Sequence, residues 1–247
     1  MERERQPTGE GWAVGVDPGG TFTDFVALEG SNGSFRVVKV PSAPSRPVDA
    51  VAKALDRADL GRELGRLVHG TTVTTNALLE RRGARLCLVT TSGFEDVPYI
   101  QRLNRRYTYN LHWRKPMPLV KRRHTLGVRE RVDHWGAIVH ELTDEESERV
   151  VGEVIRLVLS NEIEAIEVCL LFSYMNDEHE RAIERRLRAE LPDVPVSISS
   201  WVSPLWREYE RVSTVLADAY VKPLMSGYRR ISPTRWSRGR APRPCSC

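Results

Sequence analysis

The stretch Gly15-Val16-Asp17-Pro18-Gly19-Gly20-Thr21-Phe22-Thr23-Asp24 constrains this chain more than any other. An apolar run from Trp12 to Val16 ends in a carboxylate and two glycines. Two threonines and a second carboxylate follow, and the run resumes as Phe25-Val26-Ala27-Leu28. Short apolar runs separated by glycines that tolerate positive φ predict two strands joined by a tight turn. An ordinary hairpin turn accounts for Gly-Gly, but it does not call for Asp before the glycines or Thr-x-Thr-Asp after them. Those residue types suit a phosphate. Backbone N–H groups and hydroxyls can close on its oxygens, while Asp17 holds Mg²⁺ directly or through water. No Gly-Lys-Ser/Thr follows and no helix is expected at the turn, so this is not a Walker loop. The Gly-x-Gly-x-x-Gly of a dinucleotide fold is absent as well.

The following segments extend the pattern. Ser34 to Val40 reads as a third strand, entered through Ser31-Asn32-Gly33. A Pro/Ser linker from Pro41 to Pro47 leads to a helix with Val48, Val51, Ala52, Leu55 and Ala58 at helical spacing. Leu67-Val68 is a short fourth strand. A helix is predicted from about Thr74 to Arg82, stopped by Gly83, and Arg85 to Thr90 is a fifth strand. The order β-β-β-α-β-α-β predicts an α/β fold with one mixed sheet, an antiparallel meander extended by parallel crossovers. This is the ribonuclease H-like topology of sugar kinases, actin and the Hsp70 ATPase, in which the first hairpin carries the phosphate loop.

Further on, Thr143-Asp144-Glu145-Glu146 is a capping box opening a helix through Val150, Val151, Val154, Ile155, Val158 and Leu159. Ile163 to Phe172 reads as a buried strand, Asp177 to Leu191 as a charged helix, and Val194 to Ser199 as another strand. These are expected to add a further α/β layer to the same domain. A long helix from Leu205 passes Val212, Val215, Leu216 and Tyr220 and is expected to break at Pro223. Between Arg102 and Arg123 there are eight Lys or Arg and no acid, with Tyr107, Tyr109 and Trp113 interleaved. Such a segment suits single-stranded nucleic acid, a loop over an anionic ligand, or a partner surface. The net charge of +4 is mild and no nucleic-acid motif accompanies it, so nucleic acid is not the expected partner. After Arg229 the chain turns Arg/Pro/Ser-rich without periodicity, and residues 231–247 read as an irregular basic tail, either functional in itself or left by a frameshift or premature stop that removed the native continuation.

A chain of 247 residues with 40% hydrophobic and 28% charged residues is an ordinary globular composition. No apolar run approaches a membrane span, and the charged start Met1-Glu2-Arg3-Glu4-Arg5 has no signal core. Cys87 and Cys169 lie inside apolar runs and behave as small hydrophobes. A reduced, cytoplasmic protein is expected.

Several blocks together resemble one family, the hydantoinase A / 5-oxoprolinase / acetone carboxylase β-subunit family. They are Gly15 to Asp24, His69 to Gly83, Leu88 to Asp96, Arg129 to Asp133, Cys169 to Tyr174 and Glu208 to Arg211. The resemblance covers roughly residues 11 to 230 and implies an N-terminal domain at 11–200 followed by the start of a hydantoinase A domain at 201–230. Residues 1–10 are expected to be disordered. Pro18 stands where the family carries an aliphatic residue, removing an N–H and fixing φ.

The resemblance implies ATP-dependent opening of a cyclic amide such as 5-oxoproline or a hydantoin. ATP would phosphorylate the amide oxygen, and water would then open the ring. In this sequence Asp17 would position Mg²⁺, Gly19, Gly20 and Thr21 would cradle phosphates, and Thr23 and Asp24 would support the loop. His69, Thr71, Thr72 and Asn76, where the fourth strand meets a helix, are assigned to substrate or phosphate contact. His69 is equally readable as a structural histidine at a strand end, and Thr74 or Thr75 as a helix cap. The resemblance also implies a hydantoinase B-type companion subunit and an oligomer. A small-molecule kinase of the same superfamily and a non-catalytic truncated remnant are the alternative functions.

Overall fold

A computed structural model describes residues 12–19, 21–30, 33–42, 64–70, 72–102 and 105–231. The described residues fall into two compact units, one within 1–81 joined by 224–231, the other 82–223.

The first unit is built on the opening hairpin. β1 (Trp12–Pro18), β2 (Phe22–Glu29) and β3 (Phe35–Pro41) form an antiparallel meander, and β4 (Leu64–His69) adds parallel to β1, giving the order β3-β2-β1-β4. Burial alternates along β2: Thr23, Phe25 and Ala27 are inside while Phe22, Asp24, Val26 and Leu28 are exposed. That is the period-2 signature of a pleated strand with one covered face. Val16 sits opposite Phe25 on one side and His69 on the other. The helix expected from Pro47 lies outside the described residues.

Helix α1 (Val73–Leu79) follows β4. It ends earlier than the sequence predicts, and not at Gly83. Arg81 adopts φ 57° and turns the chain out, with Glu80 N–H on Asn76 O at 2.8 Å. Thr74 and Thr75 lie inside the helix rather than capping it. Gly83 has a different role: a Cβ there would lie 2.2 Å from the Tyr220 ring, so only glycine permits the approach.

In the second unit β5 (Leu86–Thr91), β6 (Thr125–Val128), β9 (Ala165–Cys169) and β10 (Val196–Ile198) form a parallel sheet ordered β10-β9-β5-β6. β5 was expected to extend the first sheet; it is instead a central strand of this one. Every residue of β5, β9 and β10 is buried, as a parallel strand covered on both faces requires. A small hairpin, β7 (Arg131–Val132) and β8 (Ile138–His140), turns on Asp133, whose Oδ1 accepts the N–H groups of Trp135 and Ala137. The remaining helices among the described residues are α2 (Val97–Ile100), α3 (Asp144–Leu159), α4 (Glu178–Glu190), α5 (Ser199–Val202) and α6 (Glu208–Ile231). Val150, Val151 and Val154 of α3 and Ile183 and Leu187 of α4 join Val89, Ile166 and Val168 in one core cluster.

Three local expectations are corrected. Only half of the capping box forms: Thr143 Oγ1 accepts the Glu146 N–H at 3.2 Å, but the Glu146 carboxylate turns to Arg129 N–H at 2.8 Å and to Arg149. The strand expected through Phe172 stops at Cys169, because Phe172 takes φ 55° and side chains occupy the ladder groups of Leu170 and Leu171. Pro223 does not interrupt α6, which runs on to Ile231. A proline removes one intrahelical hydrogen bond without ending a helix whose flanks are otherwise supported.

Candidate functional site

The parallel register of β1 with β4 brings the motif residues to one end of the first sheet. Val16 pairs with His69, and Gly70 N–H continues the ladder onto Val16 O at 2.9 Å. Asp17 follows directly, exposed, with its Oδ1 3.8 Å from where a Gly70 Cβ would stand. Among the described residues Asp17 has no hydrogen-bond or ion-pair partner. Its cross-strand neighbour Asp24 is paired with Lys39 at 3.1 Å. One carboxylate of the pair is therefore neutralised and the other is open to a cation.

The turn is held by its own backbone. Gly19 N–H donates to Phe22 O at 2.9 Å, and a Cβ on Gly19 would lie 2.9 Å from that same oxygen. Gly19 thus shapes the turn, and its amide is already engaged. Thr21 is exposed at the tip, while its carbonyl accepts Ser42 N–H at 2.9 Å. Thr23 is fully buried and shares a 3.0 Å hydrogen bond with the Ser42 hydroxyl, bracing β2 against the end of β3. Gly20 and Thr71 lie outside the described residues, as does the side chain of His69. Thr72 is the N-cap of α1 without a side-chain cap bond; its Oγ1 accepts from Asn76 Nδ2 at 3.4 Å, and its carbonyl accepts the Asn76 N–H at 2.8 Å. Asp17, Gly19, Gly70, Thr72 and Asn76 therefore belong to one run of strand ends and the helix entry that follows them. Among the described residues no three His, Cys, Asp or Glu converge as a metal cluster.

A second constellation sits at the carboxyl ends of β5 and β9 in the second unit. The chain leaves β5 toward β6 on one side and β9 toward β10 on the other, which is the crevice-forming switch of open parallel sheets. Thr91 Oγ1 donates to Glu130 and accepts Leu171 N–H at 2.9 Å. Glu130 Oε2 lies 2.8 Å from His179 Nδ1, and His179 Nε2 accepts Leu142 N–H at 3.3 Å. The Glu130 hydrogen bond outweighs burial and holds the His179 pKa above its usual value. Alongside, the Arg211 guanidinium reaches Ser173, Ser199 and the carbonyl of Leu170. Glu180 accepts Leu170 N–H, Ser200 N–H and the Ser199 hydroxyl. Blocks around Glu130, Ser173 and Arg211, far apart in sequence, meet here. Sequence reading missed His179 and Glu180, whose helix looks merely charged. Cys87 and Cys169 are free and buried, and burial pushes the Cys169 thiol up to about 12, which leaves it inert.

Residues 13–191 match the model of the hydantoinase/oxoprolinase N-terminal region. The chain belongs to this family. Within the hydantoinase/oxoprolinase family it is 34% identical to the acetophenone carboxylase gamma subunit of Aromatoleum aromaticum, over 86% of this chain and 31% of that protein. It is 30% identical to the caprolactamase subunit alpha of Pseudomonas jessenii, over 88% and 32%. The nucleotide-free structure of acetone carboxylase, an enzyme of ATP-dependent acetone carboxylation, superposes with a TM-score of 0.80 at 27% identity, covering 93% of this chain and 35% of that one. The chain thus spans about a third of the length of these relatives and corresponds to their N-terminal region. No helix among the described residues is long and apolar enough to cross a membrane.

Proposed function

We propose that this chain is the N-terminal portion of an ATP-dependent enzyme that opens cyclic amides, with nucleotide phosphates held by the Asp17–Asp24 turn. On this reading the first sheet is the ribonuclease H-like half of a nucleotide site, with 201–230 leading into a following hydantoinase A domain. The observation that carries the proposal is the pairing of Val16 with His69, which gathers an unpaired carboxylate, a glycine turn and the entry to α1 at one sheet end. Sheet ends of this kind are where α/β folds bind ligands.

The residues fit a Mg²⁺-nucleotide in kind. Asp17 is an exposed hard-oxygen donor, and a Mg²⁺ bound through one carboxylate, waters and phosphate oxygens needs no protein cluster. Bound Mg-ATP would supply the phosphoryl group that activates the amide oxygen for attack by water. Gly19 fixes the turn, the Thr21 hydroxyl is open to a phosphate oxygen, and Thr23 with Ser42 keeps the turn from splaying. His69, Thr71, Thr72 and Asn76 would contact substrate or the transferred group. The subunit names of the relatives support a companion subunit for this chain as well.

Isothermal titration with Mg-ATP tests the reading. The chain should bind, and Asp17→Asn should weaken binding at least tenfold with unchanged thermal unfolding, because Asp17 is exposed. The same titration on a form extended by the downstream family sequence should bind more tightly. ATP turnover should rise with 5-oxoproline or hydantoin; phosphorylation of a sugar panel alone would favour a kinase. A folded, extended chain without Mg-ATP affinity would defeat the proposal.

A further inference from the structure

The basic, aromatic segment between α2 and the 3-10 turn at Arg122–His124 takes no part in the sites above. Its neck is closed by three hydrogen bonds: the Tyr99 hydroxyl donates to Val120 O at 2.7 Å, Gln101 Nε2 to Pro116 O at 2.7 Å, and the Lys115 ammonium to Ile100 O. Its tip is folded on itself. Arg105 donates to Asn110 O at 3.0 Å, Asn110 Oδ1 accepts His112 N–H at 3.0 Å, and Trp113 N–H reaches Asn110 O at 3.2 Å. The described ends of the segment are thus held together and residues 105–113 fold on themselves, in the manner of an Ω-loop.

What this loop presents is unusual for a solvated surface. Tyr109 is 97% exposed and Leu111 87%, with Tyr107 and Met117 exposed beside them. Arg105 lies over the Trp113 ring and Arg106 over Tyr107. The cations at the neck and flank are neutralised: Arg102 by Glu210, Arg122 by Asp96, Arg123 by Glu162. Among the described residues Arg105, Arg106 and Arg114 have no carboxylate partner.

We infer that the 105–117 tip is a protein docking surface, taking a companion subunit through an acidic face with an apolar centre. Tyr, Trp, Met and Arg are the residue types enriched at interface cores, and rigid aromatic and Arg anchors carry most of the binding energy there. The guanidinium groups that face no carboxylate favour a partner of opposite charge. Leu111 and Met117 add aliphatic area that a protein surface can cover and that nucleobase stacking does not use. Relatives of this chain bear subunit names, so such a partner is expected of the architecture. The inference rests on the reading that this chain works as one subunit of a larger enzyme.

The test measures binding of the hydantoinase B-type subunit of the same source to the full chain at 50 and 300 mM salt. Both Tyr109→Ser with Leu111→Ser and Arg106→Glu with Arg114→Glu should weaken the complex at least tenfold, and the second pair should also flatten its salt dependence. Thermal unfolding and Mg-ATP binding should not change, since the altered side chains are exposed. Unchanged subunit affinity in either pair, absence of a complex, or tip-dependent binding of a single-stranded oligonucleotide in its place would overturn the inference. Mg-ATP binding retained through any of these outcomes would leave the nucleotide reading intact, so the two fail separately.

Discussion

Replacing Glu167 by methionine should stabilise the protein, and more so as pH rises. Glu167 stands in mid-β9, in register with Leu88 of β5 and Ser197 of β10, and is fully buried. Among the described residues neither carboxylate oxygen has a hydrogen-bond partner. Burial first, then the nearby Glu180 charge, push its pKa well above the ordinary value; Arg211 opposes this and Asp218 adds to it. The unfolded chain releases this proton near pH 4.5, whereas the folded chain keeps it. Stability therefore falls as pH rises above that point, by up to about 1.4 kcal/mol per pH unit for one proton, until the folded group itself ionises. Methionine removes the titration and the two unpartnered oxygens at similar volume. Leaving a buried polar group unsatisfied costs about 1–3 kcal/mol, equivalent to roughly 2–12 °C in midpoint for a chain of this size. Thermal unfolding of both proteins from pH 5 to 8 measures it, and the gap should widen with pH. A gap that stays constant, or a methionine variant less stable at pH 8, would refute the reasoning.

Gly83→Ala should cost about 1–3 kcal/mol through overpacking, seen as a lower urea midpoint, because its Cβ collides with the buried Tyr220 ring. Adding Tyr220→Leu should recover part of that loss. Thr143→Ala should remove the α3 cap and lower stability by about 1 kcal/mol; an unchanged midpoint would mean the Glu146 carboxylate holds the helix end without it. Gly19→Ala should open the turn and reduce Mg-ATP affinity at least tenfold, since its Cβ meets backbone at 2.9 Å. Gly70→Ala, whose nearest contact is an ordinary 3.8 Å, should leave the unfolding midpoint unchanged.

The opening hairpin was legible because alternating apolar residues and a glycine turn are local signals, and β2 obeys them residue by residue. The helices through Val150 and through Val212 were legible for the same reason, from their 3.6-residue spacing. Sheet membership of β5 was not, since which neighbour a strand chooses is a long-range matter. The clue was present in its unbroken apolar run, which marks a strand covered on both faces. Phe172 looked like strand because it is aromatic; its left-handed backbone follows from Glu180, Arg211 and Thr91 claiming the groups around it. Gly83 was read as a helix stop because its contact, Tyr220, is distant in sequence. At the candidate site the identities of Asp17, Thr23 and Asp24 were legible, but their division of labour was not. Only the fold reveals that Lys39 answers Asp24 and that Phe22 occupies the Gly19 amide.

The first unit draws on both ends of the described chain, with residues 82–223 inserted between its parts. During synthesis the hairpin that carries Asp17 emerges early, and residues 224–231, grouped with it, emerge only after the whole parallel sheet has left the ribosome. The inserted unit is contiguous and can fold as a block as soon as it appears. A nascent chain halted before Leu224 would carry every strand of the parallel sheet and, among the described residues, lack only the end of α6.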